Sequence, residues 1–95
     1  METKITIKYC PKCRWLLRSS WMAQELLTTF ETEINELTLK PSDVGVFKIY
    51  VNKTLIWCRK ENGGFPEIKE LKQLVRDKIA PKKSLGHSDK KDALK

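Results

Sequence analysis

Polar and apolar residues alternate strictly from Lys4 to Tyr9, with Ile5, Ile7 and Tyr9 on one side and Lys4, Thr6 and Lys8 on the other. A period of two marks a strand with one buried face. From Arg14 the period becomes helical. Leu16, Leu17, Ser20, Trp21, Ala23, Leu27 and Phe30 fit one broad buried stripe, leaving Arg14, Arg18 and Glu25 for water, and no Gly or Pro interrupts it. Leu37 and Leu39 mark a short alternating run over residues 36–40, which Pro41-Ser42-Asp43 breaks. Phe47, Ile49 and Val51 alternate over residues 46–51. Asn52-Lys53 then separates that strand from a run of β formers over residues 54–59, the spacing of a tight hairpin. After an Asn62-Gly63-Gly64 loop, Pro66 occupies the first position of a second helix, with Glu67 in its first turn. Ile68, Leu71, Leu74, Val75 and Ile79 give that helix its apolar face, and Pro81 ends it.

The predicted order is β-α-β-β-β-α. A strand–helix–strand unit makes parallel neighbours, the hairpin adds two antiparallel strands, and both helices have apolar faces to cover the sheet. The fold class expected is therefore α/β and thioredoxin-like, with a four-stranded mixed sheet and two helices. It forms one domain over residues 1–81, followed by a basic, partly ordered tail over residues 82–95.

Charge changes this picture little. The net charge is +7, of which the last fifteen residues carry +3. Such a balance attracts nucleic acid, acidic partners or anionic thiols, but no single face of the predicted elements collects it. No array of base-stacking aromatics or recognition motif accompanies it, so specific nucleic-acid binding is not expected. No apolar run is long enough to cross a bilayer, and residues 1–9 lack the apolar core of a secretory signal. Three cysteines are too few and odd in number for a secreted disulfide framework. A reducing cytoplasm is the expected location.

Two of those cysteines, Cys10 and Cys13, bracket Pro11 and Lys12 where the first strand meets the first helix. Across a first helical turn, residues three apart satisfy disulfide geometry. A helix N-terminus, together with Lys12 and Arg14, favours the thiolate that thiol–disulfide exchange requires. The rival chemistry is zinc, with Cys58 and the lone His87 completing four ligands. The placement opposes it: Cys58 reads as a half-buried strand residue, His87 as a solvated tail residue, and no second close pair of ligands exists. Trp15 is either an exposed aromatic beside the sulfurs or a core residue, whereas Trp21 and Trp57 read as core. Gly63, Gly64, Phe65 and Pro66 make an open loop before a helix N-terminus that can take a carboxylate, much as the Gly-Gly turn of glutaredoxins holds the γ-glutamyl end of glutathione. A plain strand-to-helix turn is the competing reading.

The segments YCPKCRWLLRSSWMAQELL, VGVFKIYVNKTLIWCRK and GGFPEIKELKQLVRDKIAP, with LGHSD near the C-terminus, resemble the cysteine-containing bacterial branch of the selenoprotein W (Rdx) family, from Ile5 to Asp89. The resemblance implies a thioredoxin-like fold and a thiol oxidoreductase role linked in several members to glutathione. Selenium in that family falls at the position of Cys13, suggesting Cys13 as the reactive thiol, whereas thioredoxin logic favours Cys10; both stay open. The cis-proline of thioredoxins has no counterpart, because Val44-Gly45 occupies that point. The expected function is that of a small thiol–disulfide oxidoreductase acting through Cys10 and Cys13. Lys12 and Arg14 would stabilise the thiolate, and Trp15, Gly63, Gly64, Phe65 and Pro66 would line the substrate groove. Glutathione would serve as reductant or co-substrate, no bound cofactor or metal is expected, and the expected partners are thiol- or disulfide-bearing proteins and glutathione itself. The alternative is a redox-switched binding module without turnover.

Overall fold

The computed structural model describes residues 2–89, apart from the side chains of His87 and Ser88. The expectations placed on residues 90–95 and on the His87 side chain lie outside them. Strands β1 (Lys4–Tyr9), β2 (Glu36–Pro41), β3 (Phe47–Val51) and β4 (Thr54–Cys58) form one sheet of order β2-β1-β3-β4. β1 pairs in parallel with β2 and antiparallel with β3, which pairs antiparallel with β4. The helices are α1 (Leu16–Thr29), α2 (Arg59–Asn62) and α3 (Ile68–Ile79), followed by a 3-10 turn at Gly86–Asp89. The β-α-β-β-β-α order is thus present, with α2 as an added single turn.

The strand alternation places Ile5, Ile7 and Tyr9 of β1 and Phe47, Ile49 and Val51 of β3 on one buried side. Met22, Ala23 and Leu26 from α1 and Leu71 and Val75 from α3 join the same cluster, so both long helices cover one face of the sheet. An ion pair of 2.9 Å between Lys72 and Glu25 ties the helices together.

The turn between β3 and β4 has Asn52 at φ 55, in the left-handed region that asparagine tolerates better than most residues. Asn52 also clasps the start of β1: its N–H donates to the Lys4 carbonyl at 2.7 Å and its Oδ1 accepts the Lys4 N–H at 2.9 Å. Further along the hairpin, Tyr50 faces Leu55 but Ile49 faces Trp57, leaving Ile56 as an unpaired bulge. The extra residue shifts the phase of β4 and turns Trp57 into the core, where it is 8% exposed.

Several expectations need correction. The buried face of α1 is Ser19, Met22, Ala23 and Leu26, continuing to Phe30, whereas Leu16, Leu17, Trp21 and Leu27 are 46%, 81%, 46% and 42% exposed. Trp21 is therefore not core. α1 is apolar on more than one side, so hydrophobic spacing admits two stripes, and the sheet receives the narrower one, which includes a serine. Pro66 and Glu67 precede α3 instead of opening it. Glu67 is the N-cap, with ψ 146, and its carbonyl accepts the first helical bond, from Leu71. Charge also gathers more than expected: on the sheet face without helices, Lys8 lies opposite Lys40 on one side and Lys48 on the other. Like charges so placed repel.

Residues 82–89 lie back against α3. Arg76 donates to the Lys83 carbonyl at 2.8 Å and pairs with Asp89 at 2.8 Å, while the Leu85 N–H donates to Asp89 Oδ2 at 2.7 Å. That Leu85 hydrogen bond, with Arg76 behind it, holds the Asp89 carboxyl below the ordinary aspartate range despite partial burial. Nearby, Lys83 meets Glu33 at 3.2 Å. Burial pushes the Glu33 carboxyl up, but the hydrogen bond and charge of Lys83 outweigh it and lower the pKa. No helix among the described residues is long and apolar enough to cross a membrane.

Candidate redox site

At the end of β1 the chain leaves the sheet through a tight loop. The Arg14 N–H donates to the Pro11 carbonyl at 3.0 Å, and the Trp15 N–H to the Cys10 carbonyl at 3.4 Å. Arg14 has φ 64, a left-handed conformation that ends the turn and redirects the chain into α1. Within this loop Cys10 and Cys13 are joined as a disulfide with a Cα–Cα separation of 5.3 Å, inside the ordinary range. The pair is accordingly not in the first turn of α1, as the sequence suggested, but in a turn of its own ahead of it. The helix begins at Leu16 with no side-chain cap and no acidic residue in its first turn, so the partial positive charge of its start is not offset locally.

The two sulfurs are not equivalent. Cys10 is fully buried, while Cys13 is half-buried. The Cys13 N–H donates to Cys10 Sγ at 3.1 Å, a contact that strengthens when that sulfur becomes a thiolate. Lys12 and Arg14 are both exposed on the loop. Arg14 lines a surface pocket of about 250 Å³ together with Tyr9, Pro11, Leu16 and Leu17.

Trp15 settles on the partly buried side of the two sequence readings. Its ring meets Phe65 edge-on at 5.0 Å, and Phe65 in turn meets Phe47 at 4.9 Å. Phe65 reaches Trp15 because its loop is pinned. Gly63, at φ 79, caps α2 in a left-handed conformation, and Trp57 Nε1 donates to the Gly64 carbonyl at 2.9 Å. Pro66 is buried behind them. The structure thus joins Trp15 and the 63–66 loop into one aromatic wall beside the disulfide. Sequence reasoning missed two cations on that wall. Arg18 stands 4.2 Å from the Phe65 ring centre, and Arg59 stands 4.8 Å from that of Trp15 and 5.1 Å from that of Phe65. Arg18 was detectable, since it lies three residues after Trp15 and so on the same helical side; Arg59 depends on where α2 begins and was not.

Cys58 is a free thiol, 6% exposed, more deeply buried than expected because α2 packs against the end of β4. It pairs with Lys48 across β3 and β4 and so belongs to the sheet side away from the core. Among the described residues no group of three His, Cys, Asp or Glu could hold a metal ion. At the point where thioredoxins carry their cis-proline, Gly45 has φ 84, and no described peptide bond is cis.

The model of the Rdx family matches residues 4–77, which span the disulfide loop, the whole sheet and most of α3. The chain belongs to the Rdx family. Two solved structures agree. A selenoprotein W-related protein from Vibrio cholerae is 52% identical, with a TM-score of 0.81, covering 83% of this chain and 99% of that one. A protein from Bordetella parapertussis is 51% identical, with a TM-score of 0.81, covering 83% of this chain and 100% of that one. Among curated proteins there is no match. The thioredoxin-like α/β fold is therefore that of its Rdx relatives, and the bonded Cys10–Cys13 pair fits a redox role.

Proposed function

We propose that this Rdx protein is a thiol–disulfide oxidoreductase acting through Cys10 and Cys13, in a reducing compartment such as the cytoplasm, with glutathione as reductant or co-substrate. The observation that carries the reading is the unequal pair: one sulfur fully buried and hydrogen-bonded, the other within reach of solvent. It also favours Cys13 as the exchanging sulfur. An incoming thiolate attacks Cys13 Sγ, forming a mixed disulfide as the Cys10–Cys13 bond breaks. Cys10 leaves as a thiolate, which the Cys13 N–H stabilises; easier departure speeds the exchange. A second thiolate then attacks the substrate sulfur of the mixed disulfide and releases Cys13. Two electrons have entered the pair, and two thiolates take up protons. In the opposite direction, reduced Cys13 attacks a substrate disulfide and Cys10 resolves the product. Lys12, Arg14 and the start of α1 support the anionic states by position and charge.

The exposed Leu16, Leu17 and Trp21 beside the loop support the second reading, in which oxidation alters the affinity of a protein partner without turnover. Incubation of Cys10→Ser and Cys13→Ser variants with oxidised glutathione, followed by mass spectrometry, tests the assignment. The Cys10→Ser variant should retain a glutathione adduct on Cys13, and the Cys13→Ser variant should form its adduct at least about tenfold more slowly. Equal rates would reject Cys13 as the exchanging sulfur. For the wild type, a midpoint in a glutathione redox series within about −180 to −270 mV together with repeated turnover of a glutathione mixed disulfide would support the enzyme. A reversible pair without turnover would favour the switch.

A further inference from the structure

We infer that Arg18 and Arg59 form a carboxylate-recognition site that selects an anionic thiol, of which glutathione is the type; the inference rests on the oxidoreductase reading of the Cys10–Cys13 pair. Two guanidiniums gather around a single aromatic pair, Trp15 and Phe65. Like charges brought to one place repel, and a carboxylate set between them would relieve that repulsion. Here none is set: neither Arg18, which is exposed, nor Arg59, which is half-buried, meets a carboxylate among the described residues, and each lies over a ring face. Several other cations do pair, as at Lys72–Glu25, Arg76–Asp89 and Lys83–Glu33, although the row of Lys40, Lys8 and Lys48 shows no ion pair among the described residues.

Arg59 adds a second, independent sign. Its Nε is buried and has no hydrogen-bond partner, leaving a donor unsatisfied at a cost of roughly 1–3 kcal/mol for such groups. Ring contact strips water from the face of a guanidinium; with Nε covered, the two Nη groups at the end of the half-buried Arg59 form the edge that can grip a carboxylate in parallel hydrogen bonds. The two cations stand on different elements, Arg18 on α1 and Arg59 at the first position of α2. A ligand with carboxylates at separate points can therefore engage both. Trp15, in contact with Arg59, lies two residues from Cys13 and bonds back to the Cys10 carbonyl, so a thiol held by its carboxylates is placed on the side of the half-buried Cys13. A tripeptide thiol with one carboxylate at each end has this form, and a neutral thiol has not.

Two measurements test the site. The first is binding of S-methylglutathione, which cannot exchange, followed through the tryptophan fluorescence that Trp15 contributes. The wild type should bind it, Arg18→Gln and Arg59→Gln should each raise the Kd about tenfold, and Arg59→Lys should lie between. The diester of S-methylglutathione should bind at least about tenfold more weakly than the free acid. No binding by the wild type, equal binding of acid and diester, or unchanged affinity in both Gln variants would overturn the site. The second is the rate of Cys10–Cys13 reduction by glutathione relative to 2-mercaptoethanol, where either Gln variant should lower the ratio about tenfold. A ratio that stays constant would overturn the selective role. Failure of the wild-type disulfide to react with either thiol would instead sink the oxidoreductase reading, with the binding result still deciding the site.

Discussion

The two long helices cover the same sheet face in different ways. α3 carries its apolar residues on one side, and Leu71 and Val75 are fully buried there as the spacing indicates. Its other sides carry Lys69, Glu70, Asp77 and Lys78. α1 buries Ser19, Met22, Ala23 and Leu26 yet leaves Leu16, Leu17, Trp21 and Leu27 in contact with water. A purely structural helix does not need that second apolar side. α1 is also the helix that follows the disulfide loop. Part of its surplus lies beside the site, where Leu16 and Leu17 border the Pro11–Arg14 pocket. α3 serves the core and, through Arg76, the docking of residues 82–89; α1 serves the core and the neighbourhood of the sulfurs.

The contrast is sharpest in stability. Leu26→Ala in α1 and Leu71→Ala in α3 both empty the centre of the core and should each cost about 2–5 kcal/mol in denaturant unfolding. Leu17→Ala should stay within roughly 0.5 kcal/mol of the parent. A loss at Leu17 comparable with that at Leu26 would mean that the exposed side of α1 is structural after all.

Ser19 provides a smaller probe with the opposite sign. Its hydroxyl is fully buried and has no hydrogen-bond partner. Ser19→Ala removes a desolvated polar group and improves helix propensity, so the midpoint of unfolding should rise, by about 1 kcal/mol in free energy. A fall would show that the hydroxyl does find a partner.

The smallest effect should distinguish the outer side of α3, which holds residues 82–89 through Arg76. Asp89 has a lowered pKa, so its folded ionised form stabilises docking above the ordinary aspartate pKa, and this contribution fades as pH falls through the lowered value. Glu33 follows the same sign through Lys83. Protection of the Leu85 amide in hydrogen exchange should therefore persist through neutral and mildly acidic pH and decline only below about pH 4. The core amides of α1 should not follow it in that range. A loss of Leu85 protection between pH 5 and 7, on the order of physiological acidification, would contradict the ion pair as its cause.

What was legible in the sequence follows the same physics. Strands β1 and β3 and the apolar side of α3 could be read because each has one buried side and one polar side, which leaves a single phase. α1 could not, because its apolar residues allow two phases and only packing against the sheet selects one. The Cys10–Cys13 pair was legible from spacing, but its place in a separate turn was not. That depends on Arg14 taking φ 64, which no pattern of polarity encodes. The aromatic wall was half legible: Trp15 and Phe65 were named, whereas Arg59 enters it only because α2 begins there. The row of Lys40, Lys8 and Lys48 was hidden for a different reason, since it exists only once three strands, one of them remote in sequence, lie in register.

The unpaired Ile56 has a consequence for how this chain can change over descent. Between Asn52 and Trp57 the number of residues, and not only their kind, decides which side of the sheet the indole occupies. Substitutions along β4 carry graded costs and can accumulate one by one. Insertion of one further residue there is of another order: with the bulge kept it moves Trp57 from opposite Ile49 to opposite Lys48, swings it outward and severs its tie to Gly64, unseating Phe65 from beside the sulfurs. The length of this short strand is thus under tighter constraint than its composition, even though it lies at the edge of the sheet.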